Sequence, residues 1–321
     1  MTQAKETPKI STGALDPSHL WFSGSLLPWN EATVHVTQIG WTAISAVFEG
    51  IRGYWNKDKS QLYLFRLDDH LARLRDSMKI MRMACDFSDK DIVEAILELV
   101  RANEFREDIY VSPMSYFKGS IPGYRAVDNH PSELVITARP SASRLLEDRG
   151  LHCCVSSWTR ISDNVMPPRA KAFANYQNNR LISTEAQING YDTGIALNER
   201  GKVAEGAYAC LFIIKNGAAA TPPVTAGILE GITRDTILTI LGSKLQMPAV
   251  EREIDRTELY LAEEVFVCGT WAEIEPVVSI DRYKVGNGST GTITTKLRSI
   301  YTRIVSGKES ENAIWITPVY R

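Results

Sequence analysis

The sequence has little that would tie it to a membrane, a nucleic acid or a metal ion. Its longest apolar runs fall well short of the roughly 18 to 20 residues needed to cross a bilayer. The polar start, Met1 to Thr12, lacks the apolar centre of a signal peptide. Basic and acidic residues number 36 and 38, a formal charge of -2, and neither sign gathers into a long block that would attract a polyanion or a lipid surface. The five cysteines (Cys85, Cys153, Cys154, Cys210 and Cys268) are odd in number and contain no C-x-x-C pair. Four zinc ligands cannot be read off any spacing, and thiols set within apolar runs read as small buried hydrophobes of a reducing compartment. The expectation is a cytoplasmic protein with no metal, nucleic-acid or membrane partner.

What is present is an ordinary globular composition, 44% hydrophobic and 23% charged over 321 residues, long enough for two compact domains. Residues 21 to 66 alternate short apolar runs with turn signals at Ser23-Gly24, Pro28-Trp29-Asn30 and Trp55-Asn56-Lys57-Asp58, which predicts strands joined by tight turns. From Asp68, apolar residues recur at helical spacing (Leu71, Leu74, Met78, Met81). Ser88 then caps a second periodic segment, with Asp91 three residues on in an approximate capping box and Ile92, Ile96, Leu99 and Val100 as its stripe. Strand-like runs follow around Tyr110 to Phe117 and Glu133 to Ala138.

The polar segment Arg139 to Arg149 divides the chain into a small N-terminal α+β domain (1-138), a connection (139-150) and a larger C-terminal domain (151-321). The latter is predicted to hold a helix near Asn178 to Asn189, strands around Thr193 to Leu197 and Ala209 to Lys215, a helix after Gly231, a strand Glu264 to Cys268 and a terminal helix from Thr292. Gly286-Asn287-Gly288-Ser289-Thr290-Gly291 spells the dinucleotide fingerprint G-x-G-x-x-G. Only 30 residues follow it, however, and a fingerprint normally opens a doubly wound sheet, so a glycine-rich turn before the last helix is expected instead.

Several separated segments gain meaning together. Val47-Phe48-Glu49-Gly50-Ile51-Arg52, Leu64-Phe65-Arg66-Leu67-Asp68-Asp69-His70-Leu71, Ser156-Ser157-Trp158, Ala170-Lys171-Ala172 with Asn175-Tyr176, Ala204-Glu205-Gly206-Ala207, Gly231-Ile232-Thr233-Arg234-Asp235 and Gly269-Thr270-Trp271-Ala272-Glu273-Ile274 occur in an order that resembles the class IV aminotransferases, most closely the branched-chain amino-acid aminotransferases. The resemblance implies a two-domain, D-amino-acid-aminotransferase-like α+β fold (fold type IV), the larger domain built around a β-barrel-like sheet. It also implies a homodimer and pyridoxal 5'-phosphate as cofactor.

Residue by residue, the resemblance makes Lys171 the catalytic lysine that condenses with the cofactor aldehyde and later moves a proton. Taken alone, Lys171 would be a solvated surface group; between small neighbours, burial is expected to lower its pKa and free a nucleophilic amine. Glu205, otherwise a strand-end carboxylate, would face the pyridine nitrogen. Tyr176, otherwise a core aromatic, would contact the ring oxygen. Arg66, Ile232, Thr233 and Thr270 would cup the phosphate, with the 232–233 backbone at a helix start.

Three departures mark the substrate pocket, assigned to Ala43, Phe48, Tyr110, Ser112, Trp271 and Ala272. Where the branched-chain enzymes carry a Tyr-x-Arg carboxylate clamp, this chain reads Tyr110-Val111-Ser112. Ala43 replaces an aromatic, and Trp271 fills a usually small position. A neutral serine cannot make a bidentate charged contact. The expectation is therefore a remodelled pocket for amines, as in the related (R)-selective amine transaminases, or a replacement carboxylate partner such as Lys118 or Arg125. Elimination by an aminodeoxychorismate-lyase-type enzyme, and a relative without turnover, are the competing readings; the presence of both Lys171 and Glu205 argues against the latter.

Overall fold

The computed structural model describes residues 16–36, 44–118 and 130–320. Two mixed sheets dominate it, so the chain is α+β. The first has the strand order Ile316–Pro318, Gln61–Phe65, Ile51–Asn56, Ile109–Phe117, His130–Pro140, His19–Phe22, Ser25–Pro28, with Val47–Phe48 and Met83–Ala84 at its margins. The C-terminal strand thus returns to the first sheet, pairing Ile316 with Phe65. The second sheet runs Val203–Gly206, Thr193–Leu197, Leu151–Val155, Glu273–Ile280, Glu264–Gly269, Cys210–Lys215, Ala218–Thr221, Ala249–Glu251.

The helices that cover these sheets start where local chemistry dictates. Helix α1 (Leu67–Ile80) begins after Arg66, which sits in the left-handed region at φ 51°, and buries Leu67, Leu71, Leu74 and Met78. Helix α2 (Asp89–Ala102) opens on the predicted box: Ser88 Oγ accepts from the Asp91 N–H, and the Asp91 carboxylate accepts from the Ser88 N–H at 2.7 Å. Its stripe of Ile92, Ile96, Leu99 and Val100 packs against Ile51, Leu64, Val111 and Ile136 of the first sheet. Helix α3 (Tyr176–Ile188) packs on the strand Thr193–Leu197 through Ile182 and Ala196.

The central strands of the second sheet are buried on both faces, which explains their unbroken apolar runs. Along Cys210–Lys215, residues Cys210, Phe212 and Ile214 point into one core and Leu211 and Ile213 into another. The first of these cores is closed by α4 (Ile232–Ser243), through Ile237 and Ile240. The short α5 (Arg256–Tyr260) contributes Leu259 to the second. The terminal α6 (Thr292–Val305) contributes Leu297 and Tyr301 to the first.

The glycine-rich run is indeed a turn before α6. The start of that helix is already taken by the Glu264 carboxylate, which accepts from the N–H groups of Ile293 and Thr294, both at 2.8 Å. A Cβ on Gly291 would lie 1.9 Å from the Glu264 carboxyl carbon, so this glycine lets the carboxylate approach the helix and leaves no place there for a phosphate.

The centre of the α4-side core is the stacked pair Phe212 and Phe266, 5.1 Å between ring centroids and directly opposite across neighbouring strands. Replacing the fully buried Phe212 by alanine should destabilise the fold by about 3 to 5 kcal/mol. A urea-unfolding midpoint shifted by less than about 1 kcal/mol equivalent would contradict this packing.

Candidate active site

A cavity of about 430 Å³ opens between the second sheet, the start of α4 and the segment that carries Lys171. Its floor is assembled by backbone pairing between distant parts of the chain. Phe48 N–H donates to the Lys171 carbonyl at 3.0 Å and Phe173 N–H to the Ala46 carbonyl at 2.9 Å. The Lys171 N–H donates to Ser77 Oγ of α1 at 3.0 Å. The Lys171 backbone is therefore fixed from two sides.

The Lys171 side chain is buried and donates from Nζ to Tyr176 Oη at 2.6 Å. Nζ also lies 4.7 Å from the Phe48 ring centroid, and Phe48 stacks on Phe173 at 4.3 Å. Burial is the largest single influence on this amine and acts downward, but the lowered pKa expected from the sequence is not what the site produces. Tyr176, Glu49 and Tyr110 outweigh it, and the net shift is upward. Tyr176 stands five residues along the same segment, whereas Glu49 and Tyr110 arrive through tertiary contact with the first sheet.

At one end of the cavity Glu205, 4% exposed, forms an ion pair with Arg160 (Oε1 to Nε, 2.8 Å) and accepts from the Leu229 N–H at 3.3 Å. Arg160 is itself held by Asn179 Oδ1 at 2.6 Å. Burial pushes the Glu205 carboxyl above its ordinary value, with Arg160 pulling the other way.

Another part of the wall is a cationic corner. Gly231 precedes α4 without a capping side chain, and Ile232 and Thr233, whose N–H groups belong to the first turn at the favourable end of the helix dipole, line the cavity. Arg73 lies beside them, donating to the Glu230 carbonyl at 2.6 Å, and Thr270 lines the cavity nearby. Arg73 is gripped by Glu49, which also accepts from His70 Nδ1 at 2.7 Å. Burial alone would raise the Glu49 carboxyl, but Arg73 and His70 hold it well below the usual carboxylate range. Burial keeps His70 below an ordinary imidazole.

Of the residues singled out in the sequence, Lys171, Tyr176, Glu205, Ile232, Thr233, Thr270, Phe48, Tyr110 and Trp271 line this one cavity. Arg66 does not. Its left-handed backbone at the entry to α1 directs the guanidinium to Asp69 and Asp235, both at 2.6 Å, outside the cavity. Ser112 turns its hydroxyl to the Glu49 carbonyl at 3.0 Å and is not on the wall; Ala272 is buried and is not on the wall either. Lys118 is 65% exposed and paired with Glu133 at 3.1 Å. Ala43 and Arg125 lie outside the described residues.

Missed from the sequence were Arg73, Arg160, Phe173 and Tyr208. Arg160 stands two residues beyond the quoted Ser156-Ser157-Trp158, and Arg73 one helical turn beyond His70, so both were adjacent to segments already singled out. Gly50 also gains a role: a Cβ there would fall 1.7 Å from the Tyr110 hydroxyl, so only glycine lets that ring reach the cavity.

A sheet-built cavity joining a buried lysine, an arginine-paired carboxylate and a cationic helix start is the arrangement expected of an enzyme that handles a phosphorylated cofactor. Residues 46–280 match the family model for amino-transferase class IV, and the chain belongs to that family. It is an aminotransferase with a fold type IV architecture, close to the branched-chain enzymes. It is 41% identical over 300 residues to a probable branched-chain-amino-acid aminotransferase of Aquifex aeolicus, covering 94% of this chain and 96% of that one. It is 35% identical over 304 residues to the branched-chain-amino-acid aminotransferase of Escherichia coli, covering 94% and 97%. The solved structure of the branched-chain amino acid aminotransferase from Thermobaculum terrenum in its PLP form superposes with a TM-score of 0.92 at 48% identity, over 95% of this chain and 99% of that one.

The buried Glu49 and His70 predict how stability depends on pH. Folded His70 takes up a proton less readily than the unfolded chain, so below its ordinary value of 6.5 the unfolded state binds more protons and stability falls. Glu49 adds a further loss below its ordinary 4.5. Urea titrations at neutral pH and at about pH 5.5 should show this decline; His70→Asn should flatten the part near pH 6, and an equally steep decline in the variant would exclude His70 as its source.

Proposed function

We propose that this enzyme transfers an amino group from a primary amine or amino acid to a 2-oxo acid with pyridoxal 5'-phosphate as cofactor, in a ping-pong sequence. The observation that carries the proposal is the shared cavity of Lys171, Glu205 with Arg160, and Arg73 with the start of α4. A phosphate fits the cationic corner, a protonated ring nitrogen fits Glu205, and an aldehyde fits the buried amine. When bound, the cofactor supplies that aldehyde and an electron-poor ring that accepts the electron pair of the substrate's alpha carbon.

The chain's own residues do the rest. Arg73, the N–H groups of Ile232 and Thr233, and Thr270 bind the phosphate; Arg73 takes the role that the family resemblance implied for Arg66. Glu205 holds the ring-nitrogen proton. Arg160 supplies the positive charge that keeps this buried carboxylate an acceptor, and losing one partner of such a pair costs about 3 to 5 kcal/mol. Tyr176, bonded to the Lys171 amine, orients it and reaches the ring oxygen. Lys171 anchors the cofactor and moves the proton taken from the substrate's alpha carbon.

For the substrate we propose an amine, including an (R)-amine, in preference to an amino acid with a conventionally placed carboxylate. Phe48, Phe173, Tyr110 and Trp271 make the substrate side aromatic, and Trp271 meets Tyr110 edge-on at 5.4 Å. Of the two arginines on the wall, among the described residues, Arg160 is engaged by Glu205 and Arg73 is assigned to the phosphate, so neither is assigned to a substrate carboxylate. Elimination draws no support from the named relatives, which are aminotransferases. Partly exposed Phe173, Tyr208 and Trp271 around the cavity support a homodimer that covers them, and five unpaired cysteines support a cytoplasmic setting. The division into residues 1-138, 139-150 and 151-321 belongs to the same proposal, with Ile316–Pro318 returning to the first sheet.

Two measurements test this. The visible absorption of the loaded enzyme should bleach when excess amino donor is added without acceptor, and Lys171→Ala should lose turnover by at least about a thousandfold; a protein that takes up no pyridoxal phosphate would overturn the reading. Separately, kcat/KM for (R)-1-phenylethylamine should exceed that for L-leucine, and a strong leucine preference would defeat the amine assignment alone.

A further inference from the structure

The Glu49–His70–Arg73 cluster is more elaborate than charge balance requires. Glu49 is fully buried in the turn between Val47–Phe48 and Ile51–Asn56, and His70 and Arg73 stand one turn apart on α1. Both Glu49 oxygens engage the same guanidinium, Oε1 accepting from Arg73 Nε at 2.7 Å and Oε2 from the other fork nitrogen at 2.9 Å. Oε2 also accepts from His70 Nδ1 at 2.7 Å, and the Gly50 N–H donates to it at 3.2 Å. The remaining fork nitrogen of Arg73 donates to the Glu230 carbonyl at 2.6 Å, immediately before α4.

An arginine carries five N–H groups in one plane. Three of Arg73's are fixed to protein acceptors, which holds the plane, and Arg73 lines the cavity with two N–H groups outside those bonds. We propose that Glu49 and His70 are positioning residues whose task is to fix the Arg73 guanidinium plane so that its two remaining N–H groups present a rigid fork to the cofactor phosphate. The inference rests on the assignment of Arg73 to that phosphate. It differs in sign from a purely electrostatic role: Glu49 cancels Arg73's charge, so if charge were all that mattered, removing it would tighten the binding of a dianion.

The readout is phosphate discrimination, the ratio of dissociation constants for pyridoxal and pyridoxal phosphate, obtained from visible absorption titrations of the full-length protein. The 31P resonance of bound cofactor gives a second signal. Glu49→Gln should lower the ratio by about tenfold to a hundredfold, as loss of charge-assisted hydrogen bonds does, and broaden or shift the 31P signal. His70→Leu should lower it too, whereas His70→Asn, whose amide places a donor where Nδ1 stands, should restore most of it. An unchanged or increased ratio in Glu49→Gln would overturn the positioning role. Should that variant not fold, the His70 pair decides, since equal ratios in His70→Leu and His70→Asn would also overturn it. Arg73→Gln separates the two levels: if it keeps the full ratio, the phosphate assignment itself fails, whereas a low ratio there with a normal one in Glu49→Gln rejects only the positioning role.

Discussion

The backbone pairing of residues 46–48 with residues 171–173 is the constraint on which the rest of the site depends. The bond from Phe48 N–H to the Lys171 carbonyl, its neighbour from Phe173 N–H to Ala46, and the Ser77 hydroxyl below them join a margin of the first sheet, helix α1 and the lysine segment into one rigid floor. Buried backbone groups must be paired, so this junction cannot loosen without cost. It brings Glu49 and Phe48, at one end of the junction, to the Lys171 amine, and it sets α1 so that Arg73 reaches the start of α4.

On that floor the chemistry is organised by two buried arginine–carboxylate pairs of opposite polarity toward the cavity. In Arg160–Glu205 both partners reach the wall, and the proposed assignment offers the carboxylate with the arginine supporting it. In Glu49–Arg73 the carboxylate backs and the arginine is offered. A buried charge without a partner is too costly to hold in place, so each functional charge carries its opposite behind it. Lys171 lies between, bonded to Tyr176, with its electrostatic surroundings drawn from both pairs.

How much of this was legible depended on the range of the physics involved. The capping box at Ser88 and Asp91, the strand Thr193–Leu197, the start of α6 at Thr292 and the unbroken apolar runs of the second sheet follow from neighbours within a few residues, and they stand where the sequence puts them. The direction of an arginine does not follow from its neighbours. Arg66 and Arg73 lie on the same short segment; a left-handed backbone turns one outward to Asp235, while the helix face turns the other inward to Glu49. Ser112 was singled out for the charge it lacks, yet its hydroxyl is spent on the Glu49 carbonyl, a contact fixed by how two strands meet.

By itself, then, the sequence determined the two N-terminal helices, the Ser88 cap, the terminal helix and several strands of both sheets, and the ordered segments around Lys171, Glu205 and Gly231 through which the chain resembles the class IV aminotransferases. Periodicity and capping act over a few residues and need no fold to be read. Only the tertiary structure decided which arginine faces the cavity, what backs each charge, and that Glu49 and Tyr110 join Tyr176 in outweighing the burial of Lys171, because those outcomes are set by distances of a few ångströms between residues that are mostly tens of positions or more apart.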